Sequence, residues 1–287
     1  MTVKKIILSY GNAGADEGVF EGAKKLLKKG ELSNYCLLEP ILVAKETKNN
    51  LKNLNEVLLN IDLVAKKTKE ALIEGAFPLF IGGDHSLSLG TVSAVSSHYD
   101  NLGLIWFDAH GDMNTNKTSP SGNIHGMILA ALQGYGDESL TDFYFQGIKV
   151  KTSNVLIFGV RDLDSKEKEL IKEKGVTYIT YDEIKQMGLK AALKKVKNYF
   201  KNKTNNIHLS FDLDVLDPQL SPGVSVPVRK GFNFQESKEI IEGIFKDFNV
   251  TSMDIVEYNP QLDQNNQTLT YLLKTIKEVE NLISSEK

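Results

Sequence analysis

Cysteine is almost missing from this chain: Cys36 is the single one in 287 residues. No intrachain disulfide and no cysteine-based zinc site can therefore form, and Cys36, in an apolar stretch, is expected to be an inert core residue. There is no basic excess either. The formal net charge is −3, which gives no electrostatic footprint for nucleic acid or an anionic membrane. Lysine groups such as Lys24, Lys25, Lys28 and Lys29 alternate with apolar residues and fit the wet faces of helices. Long hydrophobic runs are absent: Met1–Tyr10 holds only a short apolar stretch before Ser9, and nothing approaches the roughly 18 residues of a membrane span. A soluble, cytoplasmic protein is expected. Proline is scarce (7), glycine ordinary (22), and the apolar and charged fractions of 41% and 25% exclude disordered and low-complexity classes.

What is present is alternation. Strand-like runs occur at Lys5–Tyr10, Phe77–Ile81, Leu102–Phe107, Asn154–Gly159, Ile207–Phe211 and Val250–Val256, with weaker ones at Tyr35–Val43 and Val176–Thr180. Helical patterns lie between them. The clearest is Leu51, Leu54, Leu58, Ile61, Ala65, Thr68 and Leu72, whose three–four spacing paints one apolar face. Continuous apolar strands alternating with helices imply a parallel sheet covered on both sides. The expected fold is α/β, a three-layer α/β/α sandwich with a central mostly parallel sheet, over a single domain spanning 1–287. A closed β/α barrel is the fallback.

Polar chemistry collects after the strands. Phe77–Ile81 leads into Gly82-Gly-Asp-His-Ser86, Leu102–Phe107 into Asp108-Ala-His-Gly-Asp112, and Asn154–Gly159 into Arg161-Asp-Leu-Asp164. Ile207–Phe211 leads into Asp212-Leu-Asp214 and Val250–Val256 into Glu257. Five strands thus deliver carboxylates or imidazoles at their carboxyl ends, the edge where open α/β sheets bind ligands. In an extended segment residues i and i+2 share a side, so Asp108 with His110, and Asp212 with Asp214, can each reach one ion together. With His85 and Asp112 added, two imidazoles and four carboxylates exceed the needs of one cation. They suit two divalent ions with shared carboxylates. A single D-x-H or D-x-D would be a commonplace strand-end turn, but a cluster of unpaired buried carboxylates would be strongly destabilising without a cation. Oxygen donors outnumber nitrogen and sulfur is lacking, which favours Mn²⁺ over structural zinc, with Co²⁺ or Fe²⁺ as alternatives.

Of the five histidines, His85 and His110 are candidate ligands. His125, in Ser121-Gly-Asn-Ile-His-Gly126, follows the second metal segment, where a proton carrier could sit; taken alone it reads better as the cap of a helix beginning at Gly126. His98, at the polar end of a helix, and His208, inside a strand, are expected to be structural.

Four of these segments together, Gly82-Gly-Asp-His-Ser86, Asp108-Ala-His-Gly-Asp112, Ser210-Phe-Asp-Leu-Asp214 and Asp254-Ile-Val-Glu257, resemble the signatures of the ureohydrolase family, binuclear manganese enzymes that include arginases and agmatinases. The resemblance runs in order from Gly11 to the C-terminal helix. It implies the same α/β/α sandwich. It also implies one ion on His85, Asp108, Asp112 and Asp212, and a second on His110, Asp108, Asp212 and Asp214. The segment from Asp112 to His125 is similar to the arginase version, in which the equivalents of Asn114, Ser119, Ser121 and Asn123 receive the α-carboxylate of L-arginine. Neutral amides and hydroxyls can hold a carboxylate directly or through water. Asp164 and Glu167 correspond to the residues that meet the α-ammonium group.

The implied reaction is hydrolysis of L-arginine to L-ornithine and urea by a hydroxide shared between the ions. Glu257 would orient the guanidinium, Asp112 would carry the proton to the departing amine, and His125 would shuttle protons to solvent. Family members are often trimers or hexamers, so a homo-oligomer is expected. The chain departs from the arginase pattern in three places. Ser225-Val226-Pro227 stands where Gly-Thr-Pro is common, Gly111 where Thr is usual, and Ile128 where Pro is frequent. An agmatinase or another guanidino-acid hydrolase, such as a guanidinobutyrase, is the nearest alternative. A non-catalytic guanidino binder would be expected to lack Glu257 or Asp112. A binuclear phosphoesterase would need a later His-rich motif, yet only His208 follows His125. A nucleotide-binding domain would need a fuller glycine loop than Gly11-Asn-Ala-Gly14, which fits a tight turn better.

Overall fold

The structure is a computed structural model that describes residues 1–30 and 32–285. In chain order the strands are β1 (Val3–Ile7), β2 (Tyr35–Leu37), β3 (Thr47–Lys48), β4 (Leu51–Lys52), β5 (Phe77–Ile81), β6 (Gly103–Phe107), β7 (Val155–Val160), β8 (Thr177–Thr180), β9 (Asn206–Asp212) and β10 (Asn249–Val256). Among the described residues, eight of them form one sheet in the order β2-β1-β5-β10-β9-β6-β7-β8, and every pairing within it is parallel. The sheet is open, with β2 and β8 at its edges, so the barrel alternative falls.

Side-chain alternation along the strands creates two cores. Ile105 and Phe107 of β6, with Leu209 and Phe211 of β9, point to one face and pack under the helices Leu189–Phe200, Phe234–Asp247 and Gln267–Ser285. Leu104 and Trp106 point to the other, under the helices Leu54–Ile73, Ser88–Ser96 and Ile128–Leu132. The three layers follow from strands that are apolar on both faces.

Three expectations need correcting. The apolar stripe that begins at Leu51 starts its helix only at Leu54; Leu51 is buried, but from β4, in a tight antiparallel hairpin with β3. Asn49 and Asn50 turn that hairpin with φ of 53° and 60°, a left-handed pair that asparagine tolerates. The run Tyr35–Val43 is a strand only over Tyr35–Leu37, because beyond it the chain leaves the sheet edge. Cys36 accordingly is half-buried on an edge strand rather than in the core. Gly11–Gly14 does form a tight turn, closed by Gly14 N–H donating to Gly11 C=O at 3.2 Å.

Consecutive strands β5 and β6 are separated in the sheet by β10 and β9. From β6 the chain runs outward to β7 and β8, then returns inward to β9 and β10, so the neighbours β6 and β9 send their connections in opposite directions, and the crevice at the carboxyl ends of these strands is where such folds place ligands. Register sharpens the point. Phe107 pairs with Phe211, so Asp108 and Asp212, one residue further on, leave the sheet side by side; Val256 pairs with Asp212, so Glu257 leaves beside them.

Candidate active site

The crevice holds a buried cluster. His85 Nδ1 stands 3.0 Å from Asp108 Oδ2, 3.1 Å from Asp112 Oδ2 and 3.1 Å from Asp212 Oδ2. His110 Nδ1 stands 2.9 Å from Asp214 Oδ2 and 3.6 Å from Asp108 Oδ1. Two overlapping groups, His85 with Asp108 and Asp112, and Asp108 with His110 and Asp214, have ligand atoms within 4.8 Å of one another. All six residues expected as ligands are therefore brought together, with Asp108 common to both groups.

Backbone geometry does the placing. Asp108 Oδ1 accepts from His110 N–H at 2.6 Å, and Asp212 Oδ1 from Asp214 N–H at 2.8 Å. Each closes an Asx turn that fixes the i and i+2 side chains together. Asp112 and Glu257 hold left-handed backbone, φ 48° and 68°, a conformation costly for such residues that persists where the surroundings impose it. His85 is stacked on Trp106, ring centroids 3.9 Å apart, and its Nε2 meets Ser210 Oγ at 2.9 Å. That contact leaves Nδ1 to face the carboxylates. Arg161 clasps the segment after β9 by donating to the carbonyls of Asp214 (2.8 Å), Val215 (3.2 Å) and Val228 (3.2 Å).

The donor set fits divalent cations. His85 Nδ1 and Asp108 Oδ2 are buried and make no well-formed hydrogen bond, although carboxylates crowd the imidazole. One imidazole proton cannot serve three carboxylates, so the arrangement is incomplete as a hydrogen-bond network. The protonation equilibria carry the same tension. Burial and the charges of Asp214 and Asp108 push Asp212 well above the usual carboxylate range, and burial with Asp108 raises Asp214 to about 6. Burial alone would raise Asp108 too, but the imidazoles of His110 and His85 hold it below its ordinary value. A cation at each group would replace those protons.

Glu257 Oε1 accepts from His85 N–H at 2.9 Å and lies 3.1 Å from His125 Nδ1, while Oε2 takes no bond from the described residues. His125 belongs to a single 3₁₀ turn, Ile124–Met127, and does not cap a helix. Burial disfavours its charged form, but Glu257 beside it, with the charges of Asp112 and Asp84, pushes its pKa up to about 9.

Above the cluster the chain from Asp112 to Gly126 forms the rim of a cleft of about 220 Å³, lined by Asn114, Ser119, Ser121 and Asn123 on one side and Asp162, Asp164 and Glu167 on the other. The volume suits a metabolite rather than a polymer. Asn114 Nδ2 donates to Asp164 Oδ2 at 2.9 Å, tying the two walls. Glu167 is buried and accepts from Met113 N–H (2.9 Å) and Asp164 N–H (3.1 Å); burial raises it to about 7. Gly111 is explained locally: a Cβ there would lie 2.5 Å from Leu163 Cδ2 and 2.8 Å from Glu167 Oε1. Val226 lines the cleft, while Ile128 opens the short helix beyond His125. His98 follows the helix Ser88–Ser96 away from the crevice, and His208 is locked inside the sheet by Ser252 and Asp254. Trp106, Arg161 and Asp162 were not singled out by sequence reasoning, although Arg161 and Asp162 sit in a segment flagged as a strand end.

The family model described as the arginase family matches residues 18–279. The arginase of Bacillus subtilis (strain 168) is 45% identical over 218 residues, 76% of this chain and 73% of that protein. The crystal structure of arginase from the same organism superposes with a TM-score of 0.89 at 37% identity, over 97% of this chain and 98% of that one. That of Entamoeba histolytica arginase in complex with L-ornithine gives 0.85 at 33% identity, over 97% and 98%. This chain belongs to the arginase family. It is a hydrolase of that family, and its sheet and flanking helices have the arginase-like α/β arrangement. Among its described residues no helix is long and apolar enough to cross a membrane.

Proposed function

We propose that the protein hydrolyses L-arginine to L-ornithine and urea, using two divalent ions, Mn²⁺ by preference. The observation that carries the reading is the stacking of two chemistries in one cleft: a carboxylate–imidazole cluster at the bottom and a neutral amide and hydroxyl loop, Asn114 to Asn123, at the rim. His85, Asp108, Asp112 and Asp212 would hold one ion and His110, Asp108, Asp212 and Asp214 the other. The bound ions would supply activation of a water near neutral pH for addition to the guanidinium carbon.

The chain's own groups do the rest. Glu257 has one oxygen fixed by His85 N–H and His125 and the other open, so it can receive the guanidinium N–H donors in a set orientation. Asp112, which faces His85 and also lines the cleft, would take up a proton released at the site and pass it to the departing amine. His125, at the cleft wall and partly open to solvent, would exchange that proton with water. Asn114, Ser119, Ser121 and Asn123 would receive the α-carboxylate, and Asp164, with Glu167 behind it, the α-ammonium group. The Entamoeba histolytica arginase, solved in complex with L-ornithine, supports an amino acid as the ligand. We expect a cytoplasmic, single-domain enzyme that assembles as a homotrimer or hexamer.

The test is urea release after preincubation with Mn²⁺, with L-arginine, agmatine and guanidinobutyrate assayed side by side. Urea from L-arginine well above the others is expected. Preferential turnover of agmatine or guanidinobutyrate would overturn the substrate assignment.

A further inference from the structure

The β3–β4 hairpin lies against the rim loop, and no part of the proposed chemistry uses it. Asn50 Nδ2 donates to the carbonyls of Asn116 (3.0 Å) and Ser119 (2.9 Å), and Lys52 N–H donates to Gly122 C=O at 3.1 Å. The fit is close: Gly122 has φ +74°, and a Cβ there would lie 2.7 Å from Asn50 Oδ1. From this platform the Lys52 ammonium donates to Asn123 Oδ1 at 3.0 Å. Lysine offers only donors, so this contact decides which way the Asn123 amide faces. Its oxygen is committed to Lys52 and its NH₂ is left for the cleft, which Asn123 lines.

Charge adds to orientation. Among the described residues the cleft is lined, beyond the proposed ligands, by carboxylates such as Asp162 and Asp164, and by no lysine or arginine. That field favours a guanidinium or an ammonium and opposes a carboxylate. Lys52 brings a cation within one amide group of the rim, on the side of Ser119, Ser121 and Asn123.

We propose that Lys52 is a positioning residue that adapts this cleft to substrates bearing a carboxylate, by orienting the Asn123 amide and offsetting the negative field at the rim. The inference rests on the reading of the cleft as an arginine-hydrolysing site. Because Lys52 is exposed, its effect is bounded by what solvent-screened cations contribute.

The experiment compares wild type, Lys52→Met and Lys52→Arg, all loaded with Mn²⁺, with L-arginine as substrate and agmatine, which has no carboxylate, as substrate or competitive inhibitor. For Lys52→Met, KM for L-arginine should rise about three- to tenfold with kcat within about twofold, and the effect should shrink in high salt. Agmatine binding should be unchanged or tighter, and Lys52→Arg should restore most of the affinity for L-arginine. An unchanged KM for L-arginine, or equal weakening for L-arginine and agmatine, would overturn the role of Lys52. Absence of L-arginine turnover by the wild type would instead overturn the functional reading beneath it.

Discussion

Two buried histidines of this protein face carboxylates in opposite ways. His208, in β9, sits between Ser252 Oγ (2.7 Å from Nδ1) and Asp254 Oδ2 (3.0 Å from Nε2), and Thr91 Oγ1 donates to the same carboxylate oxygen at 2.8 Å. Both ring nitrogens have a partner and one acid meets one base, although Asp254 Oδ1 is buried without a partner among the described residues. His85 has one nitrogen occupied by Ser210 and the other facing three aspartates at 3.0–3.1 Å. That group has more negative charge than its imidazole can balance. Burial does not separate the two, since both rings are almost fully enclosed. The ratio of acids to bases separates them: a balanced pair holds a fold together, and an excess of buried carboxylates calls for a cation.

The largest effect should come from breaking the His85 side. Asp108→Ala removes an oxygen donor from both groups, so metal content measured by elemental analysis and urea production should both fall close to zero. Breaking the His208 side should do something different. His208→Ala leaves Asp254 buried with Thr91 as its remaining partner, which should cost about 3–5 kcal/mol in chemical denaturation while the folded protein keeps its metal content. Loss of metal in His208→Ala without loss of stability would erase the distinction between the two histidines.

A smaller effect is expected at the carboxylate that belongs to neither group. Glu257→Gln should lower kcat/KM for L-arginine by about 100-fold, through lost orientation of the guanidinium, with metal content intact. Full activity in that variant would remove Glu257 from the substrate. Smallest is a pH signature at His125. Its folded pKa, about 9, lies above the ordinary 6.5, so its stabilising contribution is complete below about pH 6.5 and is lost as pH rises through 9. In metal-free protein the Tm gap between wild type and His125→Asn should therefore be widest near pH 6 and close above pH 9. A gap that widens with pH would refute the His125–Glu257 pairing.

Much of this was legible in the sequence because the site is made at strand ends. The continuous apolar runs place β5, β6, β7, β9 and β10 within a residue or two, and Asp108 stays with His110 and Asp212 with Asp214, though through Asx turns rather than extended backbone, Asp214 lying in the 3₁₀ turn Leu213–Val215. The structural reading of His208 also holds. What could not be read locally is what depends on contacts distant in sequence. Leu51 obeys the helix period because it is buried beside that helix, yet two asparagines with left-handed backbone divert it into a hairpin. Lys52 has no motif of its own; its place at Asn123 comes from the hairpin meeting a loop some 70 residues on. Arg161 likewise gains its role only when β7 and the segment after β9 come together.

The acid-rich group at His85 and His110 is proposed as a two-ion centre. The most direct measurement is calorimetric titration of metal-free protein with Mn²⁺, with urea release from L-arginine followed at each ratio of ion to chain. Saturation at two ions per chain, with protons released on binding and activity rising with occupancy, is the predicted result. Saturation at one ion or fewer, or full activity after chelation, would contradict it.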